Sequence, residues 1–69
     1  MTDDEFLRQF EYLVKKYIED EKVAEGLIRE ANALGADAAK GLMHDFNQHA
    51  SPVETGDAQI IKDIAFYFI

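Results

Sequence analysis

Hydrophobic residues recur along the first part of the chain at intervals of three and four, the spacing of one face of an α-helix. The members of this face are Phe6, Leu7, Phe10, Leu13, Val14, Tyr17 and Ile18. Thr2-Asp3-Asp4-Glu5 stands just before them and has the form of a capping box, in which the Thr2 hydroxyl accepts from the amide three residues on. We therefore predict a first helix over residues 3–19.

A charged run, Glu19-Asp20-Glu21-Lys22, interrupts this pattern, and a second apolar face follows it at a rotated angle. The members of the second face are Val23, Ala24, Leu27, Ile28, Ala31 and Leu34. Asp20 can cap a new helix, although one long helix that changes its buried face is the alternative. Gly35 suits the end of the segment, since glycine takes the left-handed conformation without a steric penalty. We predict a second helix over residues 21–34.

Two further segments show helical spacing. Asp37 can cap a third helix over residues 37–49, which Gly41 weakens. Its apolar residues are Ala38, Ala39, Leu42, Met43, Phe46 and Ala50. Ser51-Pro52-Val53-Glu54 forms a second capping box with proline at the first helical position, which predicts a fourth helix over residues 52–69. Its apolar residues are Ile60, Ile61, Ile64, Ala65 and Phe68.

The four segments together predict an all-α fold, a small bundle of three to four amphipathic helices in a single domain, residues 1–69. A chain of 69 residues buries only about 60% of the surface that its unfolded form exposes. Natural chains of this size often add disulfides, a metal or a second subunit, and this chain has no cysteine. We therefore expect dimerisation to complete the bundle.

Acidic residues outnumber basic ones by 14 to 7, which gives a formal net charge of −7. This charge argues against direct binding of nucleic acid or of an anionic membrane, and it leaves a protein with a basic surface as a possible partner. The longest apolar stretch, IIKDIAFYFI, is too short to span a membrane and is divided by Lys62 and Asp63. An acidic, amphipathic N-terminal segment is not typical of a secretory signal, so we predict a cytoplasmic protein.

The polar stretch from His44 to His49 is the first place to look for chemistry. Its two histidines are five residues apart, so a helix directs them to different faces and they cannot share one metal ion. We expect His49 to be partly buried beside Leu42 and to share a hydrogen bond with Asp45. His44-Asp45-Phe46-Asn47 resembles the phosphoacceptor box of some sensor histidine kinases over four residues, but Gln48-His49-Ala50 replaces the leucines that usually follow.

No nucleophile, oxyanion donor or third metal ligand can be identified beside these residues. The prediction is therefore a protein without enzymatic activity, with no catalytic residues, no metal and no cofactor.

The segment AFYFI at residues 65–69 is the most apolar and aromatic in the chain. On a helix, its last four side chains surround the axis, and one small domain cannot cover all of them. Spacing assigns Ala65 and Phe68 to the core face and leaves Phe66, Tyr67 and Ile69 without cover. We predict these three residues at a partner or dimer interface.

Tyr12 lies outside the first apolar face, among Arg8, Lys16 and Glu19, and tyrosine on a charged face is common at interfaces. We add Tyr12 to the predicted interface, together with the acids Glu19, Asp20 and Glu21, which would favour orientation and association rate more than affinity.

These observations favour a small acidic protein-binding module that regulates or inhibits a larger protein by occupying its surface as a homodimer. The alternative is an assembly subunit or dedicated chaperone that masks an apolar helix of a partner. A DNA-mimic inhibitor is a narrower possibility, weakened by the interspersed lysines and arginines. An enzyme or metal protein centred on Asp45 and His49, with His44 as a further candidate, ranks last.

Overall fold

The computed structural model describes all residues from Met1 to Ile69 and contains only helices and their connections. The helices are α1 (Asp3–Tyr17), α2 (Glu21–Leu34), α3 (Ala39–His49) and α4 (Thr55–Phe68), and a short 3-10 helix (Gly35–Ala38) joins α2 to α3. The radius of gyration is 10.7 Å, close to the value of about 11 Å expected for a compact chain of this length. The predicted small all-α bundle is confirmed.

Local capping chemistry explains the first two helices. The Thr2 hydroxyl accepts from the Glu5 amide at 3.2 Å, as the capping box predicts. The Asp20 carboxylate accepts from the amides of Lys22 and Val23 at 2.9 and 3.2 Å. The chain therefore breaks before α2, as predicted, and the alternative of one continuous helix is wrong.

The boundaries of α1 and α2 follow from backbone conformation. α1 ends at Tyr17 rather than at residue 19, because Ile18 is extended, with φ −101° and ψ 108°. Gly35 follows α2 with a positive φ of +70°, as predicted, but its ψ of −162° lies outside the left-handed helical region. Leu34, which spacing placed on the core face, is exposed. The 3-10 helix turns the chain directly after Leu34, and its own Ala36 enters the core.

The predicted starts of α3 and α4 are wrong. Asp37 lies inside the 3-10 helix, and α3 begins two residues later without a side-chain cap. α4 begins at Thr55 rather than at residue 52. Ser51 does not cap α4, because its amide and hydroxyl both donate to the Tyr17 carbonyl, at 2.9 and 3.3 Å. This carbonyl at the end of α1 has no partner within its own helix.

The core lies between α1, α2 and α3, and α4 covers one side of it. Phe6 and Phe10 stack at 5.6 Å between ring centroids, and Phe46 of α3 lies 6.4 Å from Phe10. Every buried residue is hydrophobic: Phe6, Phe10, Leu13, Val14, Tyr17, Ile18, Leu27, Ala31, Ala36, Ala39, Leu42, Met43, Phe46 and Ile64. No buried side-chain polar atom lacks a hydrogen-bond partner. None of the four helices has the length and apolar character needed to cross a membrane.

Candidate functional site

One face of α4 packs on the core and the opposite face is open to solvent. Ile64 is fully buried, while Ile61 and Phe68 are partly buried against the core. Phe68 meets the Phe6 ring edge-on at 5.5 Å between centroids. This arrangement agrees with the predicted core spacing, except that Ala65 is exposed. Ala65 is one residue beyond Ile64, and the helix turns it past the edge of the core.

Three large apolar side chains at the end of the chain are uncovered. Phe66 is 82% exposed, Tyr67 is 56% exposed and Ile69 is 58% exposed. The rings of Phe66 and Tyr67 touch edge-to-face at 5.1 Å between centroids, so they form one surface. We call Phe66, Tyr67 and Ile69 the aromatic patch. Their exposure agrees with the sequence analysis, and their role as an interface stays a prediction.

A shallow groove adjoins this patch along α3. Its volume is about 550 Å³. The lining residues are Lys40, Gly41, Met43, His44, Asp45, Asn47 and Ile69. Ile69 therefore belongs both to the aromatic patch and to the α3 groove. Sequence reasoning missed this groove, because its lining comes from two segments that only the fold brings together.

A polar cluster joins α1 to the start of α4 on another part of the surface. The Lys16 ammonium donates to Asp57 at 2.8 Å, to Tyr12 at 3.2 Å and to Glu54 at 3.3 Å. Tyr12 and Tyr17 both donate hydroxyl hydrogen bonds to Asp57, the first at 3.0 Å. The Tyr17 hydroxyl also accepts from the Glu54 amide at 3.2 Å. We call Tyr12, Lys16, Tyr17, Glu54 and Asp57 the Lys16 cluster.

The cluster shifts the acid–base properties of three of its members. Hydrogen bonds from Lys16 and Tyr17 lower the pKa of the Asp57 carboxyl below its usual range. The hydrogen bond to Asp57 raises the pKa of Lys16 in turn. Burial, followed by the bond to Asp57, raises the pKa of the Tyr17 hydroxyl. The Lys16 ammonium also lies 5.6 and 5.5 Å from the ring centroids of Tyr12 and Tyr17. The cluster therefore links α1 to the start of α4 through charge-assisted hydrogen bonds.

The role of Tyr12 was therefore predicted incompletely from the sequence. Tyr12 is exposed, as predicted, but its hydroxyl is engaged within the molecule. Lys16 and Tyr12 are four residues apart on one helix, which was readable from spacing. Their contact with Asp57 spans more than 40 residues, and no local pattern signals it.

The acidic residues Glu19, Asp20 and Glu21 lie at the turn between α1 and α2 and are exposed. Asp20 uses its carboxylate to cap α2, and Glu21 lies in the first turn of α2, where an acidic side chain interacts favourably with the helix dipole. The structure does not bring this acidic turn into the aromatic patch or the α3 groove.

The histidines lie on the surface of α3. His44 is exposed, as predicted, and its Nε2 lies 3.1 Å from the Gln48 amide nitrogen. His49 is also exposed, so the prediction of a partly buried His49 bonded to Asp45 is wrong. It is the last residue of α3, beyond the part of the helix that packs on the core. No group of three or more His, Asp or Glu side chains is placed to hold a metal ion.

No protein family model, no curated protein and no solved structure matches this chain.

Proposed function

We propose that this protein is a small acidic protein-binding module without enzymatic activity, which works as a homodimer and regulates or inhibits a larger protein by covering one of its surfaces. The observation that carries the proposal is the aromatic patch. Its three large apolar side chains are each more than half exposed. Leaving such side chains in water forgoes about 1.5–3 kcal/mol for each one that could be buried. A protein partner recovers this free energy.

Acidic charge gives the module a second property. Exposed acids such as Glu19 and Glu21, in a molecule of net charge −7, attract a basic protein surface from a distance. Such charges raise the association rate and orient the encounter, while buried apolar anchors supply most of the affinity. We therefore assign the affinity for the partner to the apolar side chains, and the steering of the encounter to the acidic side chains.

The closed core supports a self-contained module over an assembly subunit that folds only on its partner. All four helices contribute to one core, and every buried polar side-chain atom has a hydrogen-bond partner. A chain that needs its partner in order to fold would leave part of this core open.

Affinity capture tests the proposal. Wild-type protein, Phe66→Asp and Leu34→Asp are immobilised at equal density and exposed to lysate of the native host. Leu34 is the matched control, because it is also a large exposed apolar residue, at the end of α2 rather than of α4. We expect specific proteins to be captured by the wild type and by Leu34→Asp and lost from Phe66→Asp.

Circular dichroism checks that both variants stay folded, which their exposed positions favour. Equal capture by all three proteins would show that the aromatic patch is not the binding surface and would remove the proposal.

A further inference from the structure

The aromatic patch adjoins the α3 groove through Ile69, which belongs to both, so an exposed apolar projection lies next to a depression. Phe66 is the most exposed of the large hydrophobic residues, and the groove of about 550 Å³ lies next to Ile69. In an interface with two-fold symmetry, the same surface of both copies meets. If one residue of the first copy contacts another residue of the second copy, the same pair is in contact with the roles of the two copies exchanged. A protrusion beside a depression satisfies this requirement.

Gly41 keeps the groove open. A Cβ atom added at Gly41 would meet no atom within 4 Å, so packing within the monomer does not require glycine there. Glycine inside a helix is unfavourable, because it loses more conformational freedom on folding than other residues. A side chain at this position would fill part of the groove. Gly26 of α2 is equally unhindered but does not line the groove, so it provides a matched control.

The charges of α3 and α4 favour a second copy as the occupant. α3 carries one base and one acid, Lys40 and Asp45, and α4 carries one base and two acids, Lys62, Asp57 and Asp63. These two helices therefore contribute only −1 to the net charge of −7. Asp57 lies in the Lys16 cluster on another part of the surface, and the charged side chains that line the groove, Lys40 and Asp45, balance each other. Two copies can therefore approach through the patch and the groove with little like-charge repulsion, whereas a strongly basic partner would find more acidic charge elsewhere.

The available area indicates how the two copies meet. The exposed parts of the patch side chains amount to roughly 400 Å² of apolar surface, since each large aromatic side chain offers about 150–250 Å² when fully exposed. A stable interface buries about 800 Å² on each partner. Contact between the two patches alone is therefore too small, and residues of the groove must be buried as well.

We propose that this face is a self-docking surface, on which two copies join with two-fold symmetry and Phe66 of each copy enters the α3 groove of the other. The proposal rests on the proposed function, because it assigns the homodimer interface of that module. It places Phe66 against Gly41 of the second copy. Phe66 is then covered by the second copy, so the larger protein of the proposed function binds the assembled dimer, through surface that includes the acidic turn at Glu19 and Glu21, and Phe66→Asp removes capture by removing the dimer.

Sedimentation equilibrium tests the interface with four proteins: wild type, Phe66→Asp, Gly41→Leu and Gly26→Leu. We expect a wild-type dimer and a dimer dissociation constant at least about tenfold higher for Phe66→Asp and for Gly41→Leu, as for loss of a central interface residue. Gly26→Leu dimerises like the wild type. Leucine replaces a helical glycine in both glycine variants, so any general effect on helix stability is shared. A Gly41→Leu protein that dimerises like the wild type would overturn the proposal.

Disulfide trapping supplies a direct distance test, because the natural chain has no cysteine. A mixture of Gly41→Cys and Phe66→Cys proteins is expected to give a mixed disulfide-linked dimer under mild oxidation. A mixture of Gly26→Cys and Phe66→Cys is expected to give far less of the mixed product. Equal yields from the two mixtures would contradict insertion of Phe66 into the groove.

Two results separate this proposal from the proposed function. A wild-type protein that is monomeric at high micromolar concentration, yet loses lysate capture on Phe66→Asp, overturns self-docking and leaves the protein-binding function supported. A dimer that Phe66→Asp dissociates without any loss of capture supports self-docking and contradicts the use of the aromatic patch for the larger partner.

Discussion

Ile64 and Phe66 lie two residues apart on α4 and have opposite surroundings. Ile64 is fully buried, whereas Phe66 is 82% exposed. A step of two residues turns a helix by about 200°, so one side chain faces the core when the other faces solvent. On α4, the contribution of a side chain to the free energy of unfolding therefore depends on its position around the helix more than on its size.

We expect Ile64→Ala to lower the free energy of unfolding by about 2–5 kcal/mol, because it opens a cavity in a closely packed core. Phe66→Ala should change it by no more than about 0.5 kcal/mol, although it removes a larger side chain. Urea unfolding followed by circular dichroism measures both, at a protein concentration below that of dimerisation. Equal losses for the two variants would contradict the burial pattern.

Helical spacing in the sequence predicted correctly whether many of the side chains are buried or exposed. Spacing separated Phe68 from Phe66 correctly and assigned most of the core of α1. It failed for Leu34, Ala65 and His49, which are all exposed. Each of these lies at or near the end of a helix. Spacing gives the direction of a side chain, but it does not show where the neighbouring helix stops covering it.

A helix start could be predicted where its cap is local, but not where it depends on a distant residue. The starts of α1 and α2 were predictable, because Thr2 and Asp20 cap amides two or three residues away. The start of α4 was not predictable, because Ser51 bonds to Tyr17, 34 residues earlier. Capping signals are read correctly from sequence unless a distant group satisfies the capping residue first.

Gly35 permits the turn between α2 and the 3-10 helix. Its φ of +70° and ψ of −162° lie in a region that is nearly restricted to glycine. We expect Gly35→Ala to lower the free energy of unfolding by about 1–3 kcal/mol. Gly26→Ala should raise it by about 0.5–1 kcal/mol, since Gly26 is helical and unhindered. Thermal melts of both variants check the contrast, and a neutral Gly35→Ala would contradict it.

Asp57 makes the attachment of α4 to α1 dependent on pH. Its carboxyl has a lowered pKa in the folded state, so the stability it contributes is present above the unfolded pKa of about 3.8 and is lost as pH falls through the folded pKa. Lys16 and Tyr17 have raised pKa values, so their contribution is present at neutral pH and is lost above about pH 10. The cluster therefore stabilises the fold over the whole neutral range.

We expect Asp57→Asn to lower the melting temperature by several degrees at pH 7 and by less at pH 3, because at pH 3 the carboxyl of the unfolded chain, with a pKa of about 3.8, is mostly protonated and folding must release that proton. The measurement is the difference in melting temperature between wild type and variant as a function of pH. Asp63→Asn is the matched control, because it removes an acid of α4 that bonds only to Gln59 in the same helix. A difference that does not change between pH 7 and pH 3 would show that Asp57 does not act through its charge.

The whole molecule combines a strong net charge with a patch and groove whose charged side chains, Lys40 and Asp45, balance each other. The acidic residues that lie outside the patch and the groove on each copy repel one another only weakly across the dimer. Salt screens this repulsion. The expected dimer differs in this respect from a complex with a basic partner, which salt would weaken.

We therefore expect added salt, from about 0.05 to 0.5 M, to leave the dimer unchanged or to strengthen it. The melting temperature should rise with protein concentration, because the folded copy is the one that associates. Light scattering and calorimetry across concentration measure the two effects. A dimer that dissociates on addition of salt would indicate an interface held by ion pairs rather than by the aromatic patch.

The hydrogen bonds of Tyr17 to the segment before α4 and to its first turn affect how fast α4 opens. Its carbonyl holds Ser51, and its hydroxyl holds Glu54 and Asp57, so one residue of α1 anchors the connection into α4. α4 itself contributes one buried residue, whereas α1 contributes five. Detachment of α4 therefore exposes fewer buried side chains than detachment of α1, so we expect α4 to open locally while the rest of the bundle stays folded. Amide hydrogens of α4 should exchange with deuterium faster than those of α1, and Tyr17→Phe should accelerate exchange in α4 alone.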